Sequence, residues 1–80
     1  MTPRRIILQL LAERGEGKSI CPSEAARALA PEDWRPLMDE VRAAGRMLAE
    51  EGRIEVTQGG EPVDPISARG PVRYRSRGER

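Results

Sequence analysis

The stretch from Cys21 to Leu48, CPSEAARALAPEDWRPLMDEVRAAGRML, holds two helical patterns separated by a proline stop. Cys21-Pro22-Ser23-Glu24 opens the first. Pro22 suits the first helical position, and a glutamate at the position of Glu24 reaches back to the free amides as in a capping box. Ala25, Ala26 and Leu29 form its inner face, and Pro31 stops it. Asp33 is the expected cap of the next and longest helix, with Pro36 still inside the first turn, where a missing amide hydrogen costs little. Trp34, Leu37, Val41, Ala44 and Leu48 recur at three- and four-residue steps and define one buried stripe. The opposite stripe is Arg35, Asp39, Arg42 and Arg46, and Gly52 closes the helix.

Outward from this pair, Thr2-Pro3 is a capping hydroxyl followed by a first-turn proline. Ile6, Ile7, Leu10 and Leu11 then share a helical face, and Gly15 and Gly17 end the helix near Arg14. On the other side, Ile54 and Val56 alternate with Glu55 and Thr57, the period of a half-buried strand. Gly59-Gly60 is a turn, and Pro62, Asp64-Pro65 and Gly70-Pro71 predict an irregular segment after it. Val72 and Tyr74 then point inward while Arg73 and Arg75 point out. Small residues on the second helix let the third cross it closely, as a helix-turn-helix requires. A hairpin is marginal alone, so it must pack across the helices. Three helices followed by a two-stranded β wing is the order of an α+β winged helix-turn-helix, with a short third strand at Ser19-Ile20. The expected domain is residues 1–76, with 77–80 a flexible C-terminal tail.

Eighty residues make one domain with a thin core. Phe is absent and Trp34 and Tyr74 are the sole aromatics, so the interior must be built from aliphatic side chains and alanine. Lys+Arg 14 against Asp+Glu 13 gives a near-balanced chain, and its pI of about 8.0 falls short of the value of about 9 usual for a dedicated nucleic-acid binder. With one cysteine and no histidine, a disulfide scaffold and a four-ligand zinc site are both excluded as expectations, and no cofactor or metal is expected. Gln9 interrupts the apolar run after Arg4-Arg5, and no small-residue cleavage site follows. The expectation is a cytoplasmic protein without a membrane partner.

The run Gly17-Lys18-Ser19-Ile20-Cys21-Pro22-Ser23-Glu24-Ala25-Ala26-Arg27-Ala28-Leu29 and the run Pro31-Glu32-Asp33-Trp34-Arg35 carry a resemblance. Together with Glu51-Gly52-Arg53-Ile54, Val63-Asp64-Pro65 and Ala68-Arg69-Gly70-Pro71, they resemble a family of short uncharacterised bacterial proteins, a domain of unknown function assigned to the winged-helix group. The resemblance covers nearly the whole chain. It implies the fold and brings no activity, ligand or catalytic residue.

Gly15-Glu16-Gly17-Lys18-Ser19 contains the ending of a phosphate loop, but the required earlier glycine is Ala12, and a helix rather than a strand precedes it. It is read as a polar turn. Cys21 stands at a helix start, where the dipole favours thiolate, yet no base or second thiol accompanies it; a buried apolar filler is the expected role. Trp34 is expected to be a core anchor rather than a stacking platform. No carboxylate pair sits in an evident pocket, so the chain is expected not to be an enzyme.

The arginines are the functional candidates. Arg35, Arg42 and Arg46 on the third helix suit base edges in a major groove, and Arg69, Arg73 and Arg77 in the wing suit phosphates. Arg69, Arg73, Arg75, Arg77 and Arg80 stand against Glu61, Asp64 and Glu79 in the C-terminal segment, a surplus of two positive charges. Internal pairing competes with this: Asp39 with Arg35 or Arg42 across one turn, and Glu55 with Arg73 or Arg75 across the hairpin. Double-stranded DNA is therefore the expected partner, with a protein partner or a second copy of the chain as the alternative.

Overall fold

The computed structural model describes residues 1–77. Its elements run α1 (Pro3–Arg14), β1 (Ser19–Ile20), α2 (Pro22–Leu29), a single 3-10 turn (Arg35–Leu37), α3 (Met38–Glu50), β2 (Ile54–Gln58), β3 (Glu61–Pro62) and β4 (Arg73–Ser76). The fold is α+β, with three α-helices packed on a four-stranded antiparallel sheet among the described residues.

The helix starts follow their local chemistry. Thr2 Oγ1 accepts from the Arg5 amide at 3.2 Å, satisfying one of the orphan amides of α1. At α2 the Glu24 carboxylate accepts the Cys21 amide at 2.8 Å, while the Glu24 amide donates to the Cys21 carbonyl at 3.0 Å. The third helix departs from expectation. Asp33 does not cap it; the chain takes a 3-10 turn after Trp34, and the α-helix starts at Met38. Pro36 accounts for part of this, since it has no amide hydrogen for an α-helical bond to Glu32.

The sheet is larger than a two-stranded wing. Its order is β1-β4-β2-β3, so β4 pairs with both β1 and β2. Ile20 lies opposite Tyr74, and Val56 opposite Tyr74 on the other side. The segment after Gly59-Gly60, expected to be irregular, begins instead as a strand with Gln58 opposite Glu61. The two glycines make this possible, because both hold positive φ (60° and 86°) and a two-residue hairpin turn of this kind needs that at each central position. Pro62 is tolerated since β3 is an edge strand.

One core joins helices and sheet: Ile6, Ile7 and Leu11 from α1, Ala25 and Ala26 from α2, Val41, Ala44 and Leu48 from α3, with Ile20, Ile54, Val56 and Tyr74 from the strands. Leu10, Leu29, Trp34, Leu37 and Val72 are only half-buried against it. Trp34 is thus less a core residue than expected. Its ring carries the guanidinium carbons of Arg27 and Arg35 at 4.6 and 4.7 Å from the centroid. Cys21 is likewise half-buried rather than buried. The Arg77 amide donates to the Arg53 carbonyl at 3.4 Å, and the rest of the expected tail at 77–80 lies outside the described residues.

Candidate functional site

An open groove runs along α3, walled on its far side by the β3–β4 loop, residues 63–72. Its larger lobe, about 480 Å³, reaches from Met38 and Arg42 to Cys21, Pro22 and Ser23 at the start of α2. A smaller lobe, about 180 Å³, lies between Arg42, Arg46 and Tyr74. Arg42, Ala68, Gly70 and Val72 line both, so the two lobes adjoin. Among the described residues, no carboxylate lines either lobe.

Helical spacing explains why the two arginines stand together. Arg42, Gly45 and Arg46 are related by steps of three and four and share one face of α3. Gly45 leaves a gap between them, and the Tyr74 ring from β4 fills it: a methyl group built on Gly45 would overlap Oη and Cζ of Tyr74 and stand 2.9 Å from Cε1. Tyr74 is only 2% exposed, and burial pushes its phenol up to about 12, with the Arg42 charge acting in the opposite direction. Its hydroxyl therefore stays protonated at neutral pH. It makes no hydrogen bond to a described residue. Since no fully enclosed polar side-chain atom lacks a partner, this oxygen keeps a narrow opening to solvent.

The far wall is an ordered loop. The Gln58 side-chain amide donates to the carbonyls of Arg69 and, at 3.2 Å, Pro71. Asp64 accepts the Ile66 amide at 2.9 Å through its carboxylate and the Ala68 amide at 2.9 Å through its carbonyl. Ala68 and Gly70 of this loop line both lobes, while Ile66 is 68% exposed.

The six arginines singled out from the sequence fall into separate places. Arg42 and Arg46 are exposed, line the groove together and form no ion pair among the described residues. Arg69 is exposed on the loop that forms the opposite wall. Arg35 lies over Trp34 and lines neither lobe. Arg73 projects from the sheet face opposite Tyr74, by strand alternation, and is engaged: its Nε donates to Ser19 Oγ at 2.6 Å and its Nη2 to the Ser19 carbonyl at 3.0 Å. Arg77 is exposed just past β4. Asp39 pairs with neither Arg35 nor Arg42, and the partner of Glu55 is Arg75, at 2.5 Å.

Gly45 and Tyr74 were absent from the sequence-derived site. A signal existed for the glycine. Inside a helix it costs about 1 kcal/mol against alanine, so its presence between two arginines on one face points to a close approach.

Away from the groove, three ion pairs among the described residues tie the elements together. Arg4 forks onto Glu51 at 2.8 and 3.0 Å, Arg14 meets Glu24 at 2.8 Å, and Arg75 meets Glu55. Burial acts to raise the Glu24 carboxyl, but the Arg14 and Cys21 hydrogen bonds and the Arg14 and Arg73 charges outweigh it and leave it below the ordinary carboxylate value of 4.5. Hydrogen bonds from Arg4 and Arg75 lower Glu51 and Glu55 in the same direction. A carboxyl with a depressed folded-state value stabilises fully above its unfolded value and loses that contribution as pH falls through the folded one. Melting temperature is therefore expected to be level down to about pH 5 and to fall below it, less steeply in high salt. Calorimetric scans across that range check it; a melting temperature that rises on acidification contradicts these pairings.

Among the described residues, no helix is long and apolar enough to cross a membrane, and no three histidine, cysteine or carboxylate side chains group as metal ligands. No curated protein matches the chain. A family model does match, over residues 2–77, and on that span the chain belongs to the family described as Protein of unknown function (DUF3253).

Proposed function

We propose that this chain is a non-enzymatic winged helix-turn-helix binding module that engages duplex DNA through α3 and the β3–β4 loop. The element order and the pairing of β1 with β4, which in turn pairs with β2, support the winged-helix reading. The observation that carries the DNA reading is the side-by-side placement of two exposed arginines, Arg42 and Arg46, without carboxylate partners, opposite a loop that bears Arg69. Guanidinium groups so placed reach the paired acceptors of guanine or adjacent phosphates. Arg73 drops out of the contact set because Ser19 occupies it. Arg35 drops out because it lies on the Trp34 ring.

Fluorescence polarisation with a mixed-sequence duplex tests the reading. Binding is expected at low salt and is expected to weaken with a log-log slope of roughly −2 to −3, the signature of two or three phosphate contacts. Arg42→Glu is expected to abolish it, because it replaces attraction by repulsion without touching the core. A titration that stays flat at low salt removes the DNA reading.

A protein partner is favoured by a different observation. Ile66 and Met47 are 68% and 48% exposed, apolar surface that phosphates do not use. Light scattering that finds a dimer sensitive to Ile66→Asp, with no DNA binding, selects that alternative.

A further inference from the structure

We propose that the groove between α3 and the β3–β4 loop binds a small organic anion, its carboxylate or phosphate group held between Arg42 and Arg46 with a hydrogen bond from the Tyr74 hydroxyl. Three observations meet here. The volume of the larger lobe, about 480 Å³, lies within the range of small-molecule sites, about 300–1,000 Å³. This lobe brings apolar walls, Met38, Pro71 and Val72, to Arg42, which also lines the smaller lobe beside Arg46, and among the described residues no carboxylate lines either lobe. The third is Tyr74, 2% exposed as a residue, which lines the smaller lobe with Arg42 and Arg46 and whose hydroxyl, open to solvent, makes no hydrogen bond to a described residue.

The third observation distinguishes a ligand site from a solvated helix face. A hydroxyl whose residue is nearly buried depends on what occupies the groove, water or ligand, to avoid losing the bond it had in water. A phenylalanine would fill the place beside Gly45 without that loss. Tyr74, Arg42 and Arg46 line one lobe, so an acceptor that is itself an anion satisfies all three groups at once. The apolar walls then receive the body of the molecule. A bare inorganic anion would leave them uncovered.

The probes are benzoate and phenyl phosphate, with inorganic phosphate and benzylamine as controls, titrated into the isotope-labelled full chain and followed by amide chemical shifts. No nucleic acid is present, so the outcome is independent of the DNA reading. At least one of the two aromatic anions is expected to bind saturably at about millimolar concentration, moving the signals of Gly45, Ala68, Gly70 and Val72. Benzylamine, the cation of similar shape, is expected to move none of them. Tyr74→Phe keeps the ring on Gly45 and is expected to weaken binding about tenfold. Arg46→Gln, a surface substitution, is expected to weaken it by at least as much and serves if Tyr74→Phe does not fold. Benzoate and phenyl phosphate identify which head group is preferred. Any of four results overturns the proposal: no saturable shift up to roughly 10 mM, shifts scattered away from the groove, equal binding of inorganic phosphate, or undiminished affinity in Arg46→Gln.

Discussion

Gly45→Ala is expected to destabilise the fold by about 1–3 kcal/mol, the usual cost of forcing a methyl group into a filled interior. Helix propensity taken alone gives the opposite sign, since alanine is favoured over glycine by about 1 kcal/mol inside a helix. The packing decides the matter. The added methyl would overlap the far end of the Tyr74 ring, so the ring must leave its place against α3 for the methyl to fit. It is buried on β4, with Ile20 opposite on one side and Val56 on the other. For a chain of this length each kcal/mol moves the melting temperature by about 4–8 °C, so calorimetry resolves the effect easily. A double-mutant cycle isolates the cause. In a Tyr74→Leu background, itself less stable, Gly45→Ala is expected to be neutral or stabilising, because the clash is gone and only propensity remains. A Gly45→Ala protein as stable as the parent, with Tyr74 intact, would mean that the ring does not lie on the helix.

Leu48→Ala is expected to cost about 2–5 kcal/mol, the range for emptying a buried leucine site. Leu48 is fully buried on α3 and is among the largest fully buried side chains. At about 0.05–0.15 kcal/mol per residue, an 80-residue domain has some 4–12 kcal/mol in all. One such cavity removes a large fraction of that, and no phenylalanine elsewhere in the core compensates. In urea the unfolding midpoint is expected to fall sharply at an unchanged slope, since the surface exposed on unfolding hardly changes. The neighbouring residue supplies the control. Met47 is 48% exposed, and Met47→Ala is expected to stay within about 0.5 kcal/mol of the parent. Equal effects at the two positions would contradict the orientation of α3.

These expectations rest on a helix whose inner stripe was legible from spacing alone. Val41, Ala44 and Leu48 recur at helical steps, and all three are buried. The same holds for Ile6, Ile7 and Leu11, for Ala25 and Ala26, and for the alternating Ile54, Val56 and Tyr74. The start of α3 was misread because Asp33 and Pro36 together satisfy a local rule for helix initiation, while the chain uses that proline in a 3-10 turn one step earlier. The strand at Glu61–Pro62 was missed because proline weighs against a strand; its place at the sheet edge removes the objection, and an edge is not visible in a linear sequence.

The candidate site was only half legible. Arg42 and Arg46 follow from spacing, and both are exposed. That Arg73 would be occupied by Ser19, 54 positions away, follows from the β1–β4 register and from nothing local. The same is true of Glu55, whose choice of Arg75 over Arg73 depends on which residues lie directly opposite: Glu55 faces Arg75.

Periodicity and the helix-breaking glycines and prolines by themselves determined the order of the three helices and of β1, β2 and β4, and the apolar side of each helix, because these are properties of a few adjacent residues and the surrounding water. Tertiary structure alone decided that β4 is shared between β1 and β2, that Tyr74 lies against Gly45 and that the loop held by Gln58 closes a groove over two arginines. Those relations join segments far apart in the chain. They exist only after close packing has fixed the distances between them, and no local propensity carries that information.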